Sequence, residues 1–176
     1  MSLADAGLHP LLPDDFATWD ALITDVENAG AKDVMVAGGC IRDLLLGADV
    51  TDVDIFHRER VLLSMLNKNG WDVRERELDP NYDVKVDRIV EGEAPQSIPV
   101  NVLECQDVQA RFDNFAANIS KVFYVKGRLL LHPEFITAVK TKVILFDEGT
   151  SMNYRDKITN KFKPLGFIFP QADMEF

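Results

Sequence analysis

Apolar positions change their spacing several times along the chain, and each change marks an element. Residues 13–30, "PDDFATWDALITDVENAG", carry the helical period. Pro13 suits a first turn, Asp14 and Asp15 suit the positive end of the helix dipole, and Gly30 is a stop. Asp33–Ala37 is a short apolar run that predicts a buried strand ending at Gly38-Gly39. Ile41–Leu46 predicts a short helix closed by Gly47, and Asp52–Phe56 a second strand. Residues 58–70, "RERVLLSMLNKNG", return to the helical period and stop at Asn69-Gly70.

Residues 71–77, 82–92 and 98–105 alternate apolar with polar, as strands of a half-buried sheet do. A helical piece is expected within 107–118, and a hairpin within 121–131 that turns at Lys126-Gly127. Residues 132–146 and 150–167 predict a small helical region after the sheet. Together these predict an α+β fold with a mixed sheet flanked by helices. The expected division is a head over 1–125 and a hairpin-plus-helix extension over 126–176, joined in one folding unit.

Composition narrows the function classes. A chain of 176 residues has room for one good core. No eighteen-residue apolar run predicts a membrane span, and "MSLADAGLHPLLPDD" lacks the basic start and apolar centre of a signal peptide. Cys40 and Cys105 lack metal-ligand spacing and fit a reducing cytoplasm better than a disulfide framework. His9, His57 and His132 are scattered, which argues against a zinc site. A formal charge of −10 argues against non-specific nucleic-acid binding, yet leaves room for a nucleotide bound through a metal ion.

The chemistry concentrates in Val36–Phe56, "VAGGCIRDLLLGADVTDVDIF". Residues two apart on a strand face the same side, so Asp52 and Asp54 sit together while Val53 and Ile55 face the core. Their repulsion costs about 1 kcal/mol, and a divalent cation removes it. Two cations about 4 Å apart are the standard device for phosphoryl or nucleotidyl transfer. Gly38 and Gly39, at the handover from strand to helix, let phosphate oxygens approach backbone amides. Arg42 lies on the first turn and can pair with phosphate, while Asp43 either orients Arg42 or caps an amide. Each feature is weak alone; their order makes them specific. The P-loop, GxGxxG and EF-hand patterns are all missing.

"GGCIRDLLLG" followed by "DVDIF" resembles the head domain of poly(A) polymerase and tRNA CCA-adding nucleotidyltransferases. The resemblance covers about Asp33 to Phe146, with its strong part at Val36–Phe56. It implies a polymerase β-like sheet with a neck-like C-terminal region, an NTP substrate and two Mg²⁺ ions (Mn²⁺ substituting) on Asp52 and Asp54. "ARFDNFAANIS" is similar to the family's later motif that holds ribose and phosphates, which implies roles for Asp113 and Asn118. Phe112 replaces its second arginine, and the spacing is one residue longer unless Asn114 takes the acid's place. A third carboxylate, used by many related transferases, would lie on residues 98–105. There Asn101 takes the alternating position and Glu104 is the nearest acid. The family's base-selecting segment has no recognisable counterpart; Arg155 is the nearest candidate.

The expected activity is transfer of an NMP to a hydroxyl on RNA, a small molecule or a protein, with release of pyrophosphate. Two other readings stay open. One is a nucleotide-binding or interaction module with weak catalysis. The other is a subunit whose acceptor-binding body comes from a partner or a second copy. Phe162, Phe167, Phe169 and Phe176 would then form a docking tail, unless they pack back on the sheet.

Overall fold

The computed structural model describes residues 4–5, 7–80, 85–113 and 115–171. Pro13–Asn28 forms α1, followed by β1 (Lys32–Ala37), α2 (Gly39–Leu46), β2 (Val53–Arg58) and α3 (Leu63–Lys68). Strands β3 (Asp72–Arg76), β4 (Arg88–Ala94) and β5 (Ile98–Glu104) come next. Helix α4 (Val108–Asp113), the hairpin β6 (Val122–Val125) and β7 (Arg128–Leu131), then α5 (Pro133–Thr141) and α6 (Met152–Phe162) complete the order. Among the described residues the sheet has seven strands in the order β3-β4-β5-β2-β1-β6-β7. Only the β2–β5 pair is parallel, which makes the sheet mixed.

Strand alternation sends side chains to two unlike layers. Val34, Val36, Val53, Ile55, Val90, Val100 and Val102 meet α1, α2 and α3 in the main core with Trp19, Ile23, Ile41, Leu45 and Leu66. Each such fully buried aliphatic side chain contributes about 2 kcal/mol. On the opposite face Met35, Ala37, Phe56, Phe115 and Phe123 pack with Val108 and Phe112 of α4. That second layer covers β1, β2 and β6. Beyond it the outward face of β3 and β4 carries the charged residues Asp72, Arg74, Glu91 and Glu93.

Several expected boundaries move. The helix expected over 58–70 is confined to Leu63–Lys68. Arg58 extends β2 opposite Lys32, pairs with Asp33 at 2.8 Å, and is followed by Glu59 at φ 65°. The strand expected over 82–92 runs instead over Arg88–Ala94, and residues 81–84 lie outside the described residues. The helix expected over 132–146 stops at Thr141, where Lys142 turns to φ 58°. Val143 and Phe146 then bridge to Ile168 and Ala117.

The aromatic tail packs inward. Phe162, Phe167 and Phe169 are buried, with Phe162 against Phe167 and Phe169 stacked on Phe146. Docking through these three rings is therefore corrected, because the core already uses them; Phe176 lies outside the described residues. A division after residue 125 runs through the β6–β7 hairpin, and the main core includes Phe135 and Ile158 from beyond it. No helix among the described residues is long and apolar enough to cross a membrane.

Gly92 is what lets β3 approach β4 so closely. Its φ is 148°, and a Cβ there would lie 2.1 Å from the Asp72 carbonyl oxygen. Gly92→Ala is expected to cost about 2–4 kcal/mol. Urea denaturation checks this: the midpoint falls while the slope is kept, and an unchanged midpoint would show that the strands part without strain.

Candidate active site

Strand β1 delivers the chain to Gly38, whose φ of 72° and ψ of −125° suit glycine alone. Its amide donates to the Val122 carbonyl on β6, and its carbonyl accepts from the Arg42 amide, 3.0 Å in each case. The turn thus starts α2 with its N-terminus facing a cleft of about 490 Å³. Arg42, on the first turn, is buried. Its Nε donates to Asp43 Oδ1 and its Nη1 to Ser120 Oγ, both at 2.9 Å, and its Cζ lies 5.1 Å from the centre of the Phe162 ring. Asp43 therefore binds Arg42, and its other oxygen accepts from Lys161.

Asp52 immediately precedes β2 and Asp54 lies within it, both half-buried, while Val53 and Ile55 are buried in the core. Parallel pairing sets Asn101 of β5 beside Asp54. The Asn101 amide donates to Asp52 Oδ2 at 2.8 Å and to Asp54 Oδ1 at 3.1 Å. One neutral side chain thus bridges two like charges. Burial pushes Asp54 up to about 6; Asp52 adds to this, while Asn101, Lys157 and Arg42 pull the other way. Cys40 behind them is raised to about 12, mainly by burial and further by the Asp54 charge, and stays a neutral thiol.

The far wall comes from α6 and the preceding loop. Tyr154, Lys157, Ile158 and Lys161 share one helix face, and the Tyr154 hydroxyl lies 3.1 Å from Ser120 Oγ. Arg111 lines the cleft with its guanidinium 5.1 Å from the centre of Phe115 and 5.7 Å from that of Phe56. Its Nε is buried without a hydrogen-bond partner. Burial lowers its pKa from the usual arginine value.

Of the sequence candidates, Gly38, Gly39, Arg42, Asp43, Asp52 and Asp54 line the cleft together. The others stand apart from it. Asp113 is exposed and accepts from Gln109 at 3.0 Å. Asn118 is spent on the backbone of Val143 and Leu145, and Asn114 lies outside the described residues. Glu104, at the end of β5, has a buried Oε1 without a partner. Arg155 turns back to the Thr150 and Asp147 carbonyls and the Phe146 ring, bracing the loop that lines the cleft. Sequence reading missed Ser120, Lys157 and Lys161. The i, i+3, i+4, i+7 stripe of Tyr154, Lys157, Ile158 and Lys161 was the available signal.

The donor set suits a hard cation. Asp52 and Asp54 offer carboxylate oxygens, and their charges repel each other across a shared amide. Among the described residues no group of three or more His, Cys, Asp or Glu forms a metal cage. A Mg²⁺ ion on this pair would thus take its other ligands from phosphate oxygens and water.

A family model described as Gabija anti-defense 2 family protein matches residues 15–142, well over half of the chain. The chain belongs to the Gabija anti-defense 2 family. No significant match is found among curated proteins. Solved structures give this family member its fold. A CCA-adding enzyme in an apo form aligns with TM-score 0.65 at 14% identity, covering 90% of this chain and 42% of that one. The Thermotoga maritima CCA-adding enzyme complexed with tRNA aligns with TM-score 0.60 at 14% identity, covering 96% and 42%. The Bacillus stearothermophilus CCA-adding enzyme in complex with CTP aligns with TM-score 0.57 at 15% identity, covering 90% and 41%. The chain thus spans under half the length of these enzymes and shares their nucleotidyltransferase fold.

Because the folded state raises Asp54 from 3.8 to about 6, folding takes up a proton between those values. The charged carboxylate therefore weakens the fold above pH 6, and the penalty fades as pH falls towards 4. Asp54→Asn is expected to stabilise the protein by about 3 kcal/mol at pH 8 and by well under about 1 kcal/mol at pH 4. Thermal melts across that range check the sign; an equal gain at both ends would contradict it.

Proposed function

We propose that this Gabija anti-defense 2 family member is a nucleotidyltransferase that moves an NMP from an NTP to a hydroxyl acceptor and releases pyrophosphate. The observation that carries the reading is the placing of Asp52 and Asp54, joined by Asn101, in one cleft with the Gly38-Gly39 helix start. The fold shared with CCA-adding enzymes supports it. Two Mg²⁺ ions held by Asp52 and Asp54, with Mn²⁺ able to substitute, would activate the attacking hydroxyl and neutralise the leaving pyrophosphate.

The chain's own residues do the rest by position and charge. Amides at the start of α2 seat phosphate oxygens, and Gly38 and Gly39 keep side-chain atoms out of the way. Lys157 and Arg111 supply positive charge from the opposite wall, where an anion would satisfy the orphaned Arg111 Nε. The acceptor oxygen bonds to the α-phosphorus, and the bond from that phosphorus to the bridging oxygen of pyrophosphate breaks. The hydroxyl proton passes to the Asp52–Asp54 pair. Asn101 keeps both carboxylates turned to the cleft. The family description makes a component of the Gabija system the first acceptor to test. Both cysteines are free and buried, which suits action in a reducing cytoplasm.

One observation favours a second reading, a nucleotide-binding module with weak turnover. Arg42 is buried, and two of its nitrogens already serve Asp43 and Ser120.

The test is transfer of label from each α-labelled NTP, with Mg²⁺ or Mn²⁺, to purified Gabija components and to cellular RNA. The expected result is labelled acceptor that falls more than ~100-fold in the Asp52→Ala, Asp54→Ala double variant. Labelling that survives the double variant would refute the site. Metal-dependent NTP binding without labelling would favour the module.

A further inference from the structure

Five bases and five acids line the cleft, so what a bound triphosphate meets depends on which bases the protein leaves free. Three are engaged. Arg42 serves Asp43 and Ser120, Lys161 serves the other oxygen of Asp43, and Arg111 lies against the Phe56 and Phe115 rings. Lys85 and Lys157 are the two without an ion pair or a hydrogen bond among the described residues. Lys85 belongs to the loop before β4, whereas Lys157 stands on α6.

Helix α6 is fastened on either side of Lys157. One turn before it the Tyr154 hydroxyl lies 3.1 Å from Ser120 Oγ, and one turn after it Lys161 binds Asp43. Ile158 and Phe162 are buried in the main core, with the Arg42 guanidinium over the Phe162 ring. The helix is therefore fixed against α2, while Lys157 is exposed in the cleft that Gly38, Gly39, Asp52 and Asp54 also line. Burial raises Asp54, and the Lys157 charge opposes this more strongly than the Arg42 charge does. An ammonium also differs from a guanidinium in what it can give. Lysine can hand a proton to a neighbouring oxygen, whereas arginine keeps its charge.

We infer that Lys157 is the general acid of the transfer, donating a proton to the pyrophosphate leaving group. The inference rests on the nucleotidyltransferase reading and adds a second proton transfer to it. The acceptor oxygen forms its bond to the α-phosphorus, and its proton goes to the Asp52–Asp54 pair. The bond from the α-phosphorus to the bridging oxygen breaks, and the electron pair stays on that oxygen. The Nζ proton of Lys157 neutralises the charge that develops there. Lys157 leaves the step as a neutral amine and regains its proton from water. General-acid help of this kind is worth about 100-fold or more.

The experiment uses the full chain with Mn²⁺ and α-labelled ATP, GTP, CTP and UTP, each beside its β,γ-difluoromethylene and β,γ-methylene analogues. The analogues keep the reacting bond and differ in the basicity of the leaving group, the methylene form being the more basic. All label leaving the triphosphate is counted, whether it enters cellular RNA, protein or free NMP. Lys157→Ala and Lys157→Arg are compared; the position is exposed, and matching melting curves confirm folding. The expected result is a kcat about 100-fold lower in both variants, with KM in Lys157→Arg nearly unchanged. The loss should be at least tenfold greater with the methylene than with the difluoromethylene analogue. Lys157→Arg turning over like the unaltered protein overturns the proton and leaves a charge alone. Equal losses with the two analogues overturn the general acid and leave the transferase standing. Metal-dependent NTP binding with no label leaving any triphosphate refutes nucleotidyl transfer, and the general acid falls with it.

Discussion

The parallel pairing of β2 with β5 is the constraint on which the site depends. It sets Asn101 level with Asp54, and from there one amide reaches Asp52 as well. Without that pairing the two carboxylates would lose the amide that bridges them. The pairing itself rests on the core beneath, where Val53, Ile55, Val100 and Val102 are buried against the helices on the other side of the sheet. A one-residue slip of β5 would exchange Asn101 for an apolar neighbour and turn Val100 and Val102 out of the core. Stability and chemistry are thus secured by the same register, on opposite faces of two strands.

Around that pair the molecule mixes bases with acids. In a chain of net charge −10 the cleft is lined by bases and acids in equal number, the bases of α2, α4 and α6 coming from distant parts of the sequence. Acids gather beyond Asp52 on the outer strands. Overall acidity and an anionic substrate are therefore compatible. The net charge describes the whole surface, while binding answers to the local field in a partly desolvated cleft.

Much of the first half of the site was legible because its signals are local. Alternation placed Asp52 and Asp54 on one side and Val53 and Ile55 on the other, and Gly38-Gly39 marked the strand-to-helix turn. The β6–β7 hairpin was legible for the same reason, with turn residues between two apolar runs. The second half depends on tertiary contacts. Ser120 reaches Arg42 across 78 positions of sequence, and Lys161 reaches Asp43 across 118. No local pattern announces such meetings. Arg155 illustrates the same limit, since only packing decides that Tyr154 and Lys157 face the cleft while Arg155 turns to Phe146. The helix expected over 58–70 was shortened by Arg58, whose pairing with Lys32 and Asp33 outweighs a weak helical period.

On the proposed reading, Asp52 and Asp54 bind a nucleotide through a divalent cation. Calorimetric titration with a non-hydrolysable NTP analogue, with Mn²⁺ and with chelator, tests it most directly. The expected result is saturable binding that requires the metal and vanishes in the Asp52→Asn, Asp54→Asn variant. Equal affinity with and without Mn²⁺, or binding that survives loss of both carboxylates, would contradict it.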